Sequence, residues 1–330
     1  MDSKKLQKRL SVLFFIFGLA LLYLLIRKVG AHDILKTIKD LGPNLIYIML
    51  FPITWTVVQT QAWWRLLAID GTKVSWWHVF LAKVSGEALN TVTPISFVGG
   101  DPYRIYLLQK KISKTSSAAS VVIDRTMYML AVALVLFVTL ITAWIYVPLP
   151  GAWQILFPIF TSLFFVAFFL VVKFQKKGMF TFLSNFSQKI GFQEHRLKQL
   201  HDKIENLDRE IGGFYQKDKL HFFEIMTLHF LGRFLGAVEI YLIVRLMNYS
   251  IPFEYSLFLA SLTILINMVF VFIPGSMGVM EGGYGALFYL LKLEPSIGVV
   301  IQLVRRIRTF AWVGIGLLII LLYRPKHQSG

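Results

Sequence analysis

A helix breaker, an acid and an arginine recur at one spacing, twice, within otherwise strongly apolar sequence. Pro94 is followed seven residues later by Asp101 and twenty-four after that by Arg125; Pro274, Glu281 and Arg305 repeat both intervals. Glycine crowds each copy, with Gly99 and Gly100 in the first and Gly275, Gly278, Gly282 and Gly283 in the second. In lipid such residues cost free energy unless they face protein or water. Two matched copies predict a polar cavity built by an internal repeat, the layout of a membrane transporter.

Composition agrees. The chain is 56% hydrophobic and 15% aromatic, with a mean hydropathy of +0.63, against roughly 45–50% apolar for soluble domains. Cysteine is absent, which removes disulfides, thiolate nucleophiles and Cys-ligated metals. The formal net charge is +16, but the basic residues flank apolar runs. An anionic lipid surface is therefore the expected partner rather than nucleic acid. Lys4, Lys5, Lys8 and Arg9 precede the apolar stretch 10–26. That stretch is long for a signal sequence and no A-x-A-like cleavage site follows closely, so it reads as a retained first span with its N-terminus inside.

Apolar runs place further spans near 44–69, 117–146, 152–173, 222–247, 253–273 and 296–323. Two segments, near 76–111 and 275–293, are interrupted; each is either a broken span or a re-entrant hairpin, which hydropathy does not decide. Arg324 and Lys326 also favour an inside C-terminus. With both termini inside the span count is even. The expected fold is therefore all-α, a single domain over 1–330: a polytopic transmembrane bundle of about eight spans. Within it lie polar repeat motifs at 76–125 and 267–308 and a hydrophilic loop at 174–220. The stretch 173–220 carries ten Lys/Arg against six Asp/Glu, which argues for the cytoplasmic side. Leu197, Leu200, Ile204, Leu207 and Ile211 form one narrow apolar seam there, expected to lie against the membrane or the chain's own bundle.

The polar groups inside apolar sequence are the candidate site. Glu87 and Asn90 are three residues apart and share a helix face. Pro94 should end that helix at Thr93, and the backbone N–H groups at Gly99 and Gly100 could cradle an anion. Asp101-Pro102 reads as an N-cap with proline at N1, opening a helix through Lys110. Arg104 then sits in its first turn, unfavourable for structure but suited to phosphate. Asp124 and Arg125 lie two turns into a span, either as a self-compensating ion pair or with Arg125 reaching inward. Arg305, Arg306 and Arg308 spread around one helix, so at least one should meet a partner, with Glu281 the obvious acid. His229, Arg233 and Glu239 share another span, His229 as a helix–helix polar contact and the other two divided between packing and a transport route. Trp63, Trp64, Trp76 and Trp77 read as interfacial anchors. Paired-His metal motifs, G-x-S-x-G, Walker and G-x-G-x-x-G signatures are absent, so no cofactor or metal is expected.

Three elements carry a family resemblance: Pro94 with Gly100-Asp101-Pro102-Tyr103-Arg104, then Val122-Ile123-Asp124-Arg125, then Pro274-Gly275-Ser276-Met277-Gly278-Val279-Met280-Glu281. Together they resemble the lysylphosphatidylglycerol synthase transmembrane-domain family of flippase-like membrane proteins, with Ser276 where the family usually has glycine. The resemblance implies a lipid flippase of the cell (inner) membrane. It would bind a phospholipid such as lysyl-phosphatidylglycerol, or a lipid-linked headgroup, through Glu87, Asn90, Asp101, Arg104, Asp124, Arg125, Arg233, Glu239, Glu281 and Arg305. The full synthases add a soluble lysyltransferase domain; only seven residues follow the last span here, so that activity is not expected. A transporter of a small solute or ion, or a membrane subunit of a lipid-modifying synthase, fits the same charges. A second copy or a lipid-modifying enzyme would be its protein partner.

Overall fold

The structure, a computed structural model, describes residues 39–68, 71–93, 99–147, 151–189, 194–217, 219–270 and 279–323. The first span at 10–26, and Pro94, Pro274, Gly275 and Gly278, lie outside the described residues. Among the described residues the protein is all-helical, with no strand. A 3-10 turn leads into α1 (Leu45–Leu50) and α2 (Pro52–Ala68). Then come α3 (Trp76–Val92), α4 (Gly100–Leu108), α5 (Lys114–Tyr146) and α6 (Gly151–Lys176). The second half holds α7 (Met179–Lys189), α8 (Glu194–Lys217), α9 (Lys219–Leu246), α10 (Phe253–Val269), α11 (Val279–Leu290) and α12 (Pro295–Leu322).

Among the described residues, four helical stretches are long and apolar enough to cross a membrane: Lys39–Ala68, Lys114–Tyr146, Gln154–Lys176 and Leu220–Leu246. The 28-residue α12 has the length, but Arg305, Arg306 and Arg308 sit near its middle. Three arginines in lipid are tolerable only if they face protein or water. The outward faces are apolar as a bilayer requires, with Phe169, Leu163 and Ile155 of α6 all exposed.

The first interrupted segment, 76–111, folds back on itself. Here α3 ends at Thr93 and α4 returns antiparallel along it. The Gly100 N–H donates to Asn90 Oδ1 at 2.9 Å, and His78 Nε2 lies 3.2 Å from the Leu107 carbonyl oxygen further along the pair. Two glycines permit the approach. A Cβ at Gly100 would strike the Gly86 carbonyl oxygen, and one at Gly86 would lie 2.5 Å from Arg104 Cγ. Of the second, 275–293, the described part includes α11, against which the preceding span's α10 packs through Thr263, whose hydroxyl meets the Tyr284 hydroxyl at 2.5 Å. α4 begins earlier than the sequence pattern suggests: Gly99 is the N-cap, and Asp101 lies inside the first turn rather than capping it.

Among the described residues, the apolar interior has two large cores that share α5, α9 and α12, with a small third cluster at Val132, Leu136 and Ile264. One gathers Trp63 and Leu67 of α2, Leu89 of α3, Leu107 of α4, Met127 of α5 and Leu317 of α12. The other gathers Val135 of α5, Ile240 of α9, Phe258 of α10, Phe288 of α11 and Ile301 of α12. The α3–α4 hairpin belongs to the first core and α10–α11 to the second. α5 starts in the first core and ends in the second; α12 runs the opposite way. Among the described residues, a 17-residue helix followed by a short helix and a long helix occurs twice. On α9 and α12 the changeover between cores falls at His229–Arg233 and Arg305–Arg308.

The hydrophilic loop docks on this bundle. Ile211 and Phe214 of α8 are buried in the first core, and the Tyr215 hydroxyl donates to Gln175 Oε1 at 2.8 Å. Asp208 of α8 accepts the Phe180 and Thr181 N–H groups at 3.1 and 2.6 Å, satisfying orphan donors at the start of α7. The seam thus lies against the chain's own helices; the side chains of Leu197 and Leu200 lie outside those described.

Gly100→Ala should destabilise the folded protein by about 1–3 kcal/mol, the usual cost of overpacking. Gly314→Ala, where an added Cβ meets nothing within 4 Å, should be neutral. Thermal unfolding in detergent checks both.

Candidate functional site

A polar cleft of about 270 Å³ opens between α2, α3, α5, α9 and α12. Its charged lining is Lys83 and Glu87 from α3, Asp124 and Arg125 from α5, Arg233 and Glu239 from α9, and Arg305 and Arg308 from α12. Trp55, Gln59, Thr91, Tyr128, Thr309 and Trp312 complete the wall. Around it, two ion-pair networks compensate most of the charge.

The first centres on Asp124, only 2% exposed. It accepts from Arg104 Nη2 at 2.6 Å and Lys83 Nζ at 3.4 Å, while His229 Nε2 lies 3.3 Å away. Arg104 also reaches Asp101 at 3.3 Å and stacks over Trp63, its guanidinium carbon 3.9 Å from the ring centroid. Asp101 in turn takes a bidentate pair from Arg125, at 3.1 and 3.0 Å. The Arg125 guanidinium also approaches Glu87 at 3.7 Å. Asp124 and Arg125 are adjacent in sequence and about 100° apart around α5, so they serve different partners.

The second network centres on Glu239, 1% exposed. Arg305 Nε lies 3.3 Å from one of its oxygens and Arg308 Nη1 donates to the other. Arg305 also donates to the Tyr284 hydroxyl at 3.1 Å. Arg306 instead donates to Glu281 Oε1 at 2.6 Å. Helical phase explains the division: Arg305 and Arg308, three residues apart, share a face, whereas Arg306 is rotated by about 100°.

Six of the ten substrate-binding residues expected from sequence line the cleft: Glu87, Asp124, Arg125, Arg233, Glu239 and Arg305. The other four do not. Asn90 fastens the α3–α4 hairpin, and its acceptance of the Gly100 N–H occupies a donor expected to cradle an anion. Arg104, 1% exposed, is an internal counter-ion to Asp124 and Asp101 rather than a phosphate ligand. Asp101 sits behind Arg125, and Glu281 holds Arg306 rather than Arg305. The interval of twenty-four residues therefore makes an ion pair in the first copy and not in the second. Trp63 is wholly buried beneath Arg104, not an interfacial anchor, whereas Trp77 is exposed.

Lys83, Trp55 and Trp312 were not singled out by sequence. Lys83 carried a signal, an ammonium inside an apolar helix one turn from Glu87; the tryptophans carried none, since apolar spans are full of aromatics. Among the described residues no group of three or more His, Asp or Glu side chains is arranged to hold a metal ion.

Apolar helices of membrane-spanning length enclosing a charged cleft define a polytopic integral membrane protein. The family model for the lysylphosphatidylglycerol synthase TM region matches residues 10–317, and the chain belongs to that family. It is similar to a UPF0104 membrane protein of Methanothermobacter thermautotrophicus, 23% identical over 329 residues, covering 92% of each chain. A second relative, a UPF0104 membrane protein of Methanocaldococcus jannaschii, is 28% identical over 134 residues, 40% of this chain and 38% of that one. No solved structure matches this chain.

Asp124→Ala should cost about 3–5 kcal/mol, because it strands Lys83 and Arg104 without their buried counter-charge. Glu87→Gln, at a side chain 47% exposed, should stay within about 0.5 kcal/mol. Unfolding temperature and yield of monodisperse protein in detergent distinguish them.

Proposed function

We propose that this protein is a flippase-like translocator that moves a phospholipid or lipid-linked headgroup between leaflets through the cleft while the acyl tails stay in the bilayer. The observation that carries this reading is a polar cavity of about 270 Å³ walled by five helices inside an apolar bundle. A bare charge at the bilayer centre costs roughly 2.5–3.5 kcal/mol on insertion scales. A groove that replaces headgroup hydration with fixed arginines lowers that barrier and needs no covalent step. Family membership supports a lipid-handling role. The succession of a 17-residue, a short and a long helix, found twice, supports an internal repeat, whose halves can open the cleft alternately to either side. By the positive-inside rule, the end carrying Lys173, Lys176, Lys177, Lys189 and Lys219 around α8 faces the cytoplasm, within the cell membrane.

Arg305 and Arg125 are the natural tests because each removal leaves its acid a second partner: Glu239 keeps Arg308, and Asp101 keeps Arg104. In proteoliposomes containing fluorescent phosphatidylglycerol, headgroup accessibility to a membrane-impermeant reagent should rise with the protein. Arg305→Ala should slow it by about tenfold or more, equal to ~1.4 kcal/mol in the barrier, without loss of folded protein. Acceleration of no lipid would favour a solute transporter instead.

A further inference from the structure

Counting charge around the cleft exposes an imbalance. Lys83, Arg125, Arg233, Arg305 and Arg308 supply five positive charges to its wall; Glu87, Asp124 and Glu239 return three negative ones. The layer behind adds nothing, since Asp101 and Glu281 balance Arg104 and Arg306. Two positive charges are left over. One is Arg233: among the described residues it makes no ion pair or hydrogen bond, and its Nε is buried without a partner. A guanidinium presents five donors in a planar fork suited to phosphate oxygens, and leaving them unused beside a low-dielectric interior is costly.

We infer that the cleft is a site for a phosphate ester of net negative charge, with Arg233 as the phosphate ligand, and that it disfavours aminoacylated headgroups such as lysyl-phosphatidylglycerol. This rests on the lipid-translocation reading for the source of the phosphate, but not for its sign. A headgroup with one phosphate and no amine neutralises part of the excess. One bearing a lysyl ester keeps that phosphate but adds two ammonium groups, so it brings a net charge of about +1 to a wall already positive by two, and like charges at such range repel even with considerable screening. Glu87 is the one acid on the wall that is substantially exposed, and it is engaged with Arg125. Asp124 and Glu239 are each held by at least two cations. Among the described residues of the wall no acid is left to receive an ammonium.

The test is equilibrium titration of the full-length protein in detergent, read by thermal stabilisation. The probes are phosphatidylglycerol, lysyl-phosphatidylglycerol and water-soluble glycerol 3-phosphate, against the native chain, Arg233→Gln and Arg233→Lys. Phosphatidylglycerol should bind about tenfold or more tightly than its lysyl form. Arg233→Gln should lose most of that affinity while staying folded, because among the described residues Arg233 has no ion pair or hydrogen bond to forfeit; Arg233→Lys should restore part of it. Lysyl-phosphatidylglycerol binding as tightly as phosphatidylglycerol, or Arg233→Gln binding phosphatidylglycerol unchanged, would overturn the inference. Glycerol 3-phosphate binding as tightly as the lipid, with the same dependence on Arg233, would uphold the phosphate site but assign it to a soluble solute. The lipid reading itself stands or falls separately, on headgroup accessibility in vesicles.

Discussion

Everything in this bundle is arranged around the cost of holding charge away from water. Asp124 is buried on a long apolar helix, and an isolated carboxylate there would be penalised by several kcal/mol after any relaxation. Arg104, Lys83 and His229 converge on it from α4, α3 and α9. That convergence sets the packing of three neighbouring helices. For Arg104 to reach across, α4 must lie close along α3, which is why Gly86 and Gly100 face one another without side chains. Trp63 then supplies an aromatic face to the same guanidinium, so α2 is drawn into the arrangement.

The second network repeats the principle with different geometry. Glu239 is the buried acid there, and two arginines one helical turn apart converge on it from α12. The remaining arginine, Arg306, is carried by helical phase toward α11 and Glu281. The first network lies among Trp63, Ile123 and Met127 of the first core, and the arginines of the second lie where α12 passes from one core to the other, so the cleft borders both cores. The structural economy and the proposed translocation thus depend on the same placement of charge.

Much of this was legible in the chain. Long apolar stretches with interrupting prolines and glycines announce a helical membrane protein, because only helices satisfy their backbone internally in lipid. Acids and arginines inside such stretches announce a site, because nothing else repays their desolvation. Six of the expected residues do line the cleft. The seam on α8 marked a helix that docks, and it docks on its own bundle through Ile211 and Phe214.

What the pattern could not supply was pairing. Glu281 was the evident partner for one of Arg305, Arg306 and Arg308, but the pattern did not say for which: a one-residue step rotates a side chain by about 100°, and it is Arg306 that takes the acid. Arg104 looked free to bind phosphate from its position on α4, but its carboxylate partner comes from another helix. Hydropathy was equally silent on whether the interrupted segments cross or return, since both alternatives bury the same residues. The sequence by itself therefore determined an all-helical bundle with charge in its interior, because lipid leaves a chain so apolar no other way to satisfy its backbone. Tertiary structure alone decided which charges cancel and which are left facing the cleft, because compensation depends on distances of 3–4 Å between helices far apart in the chain.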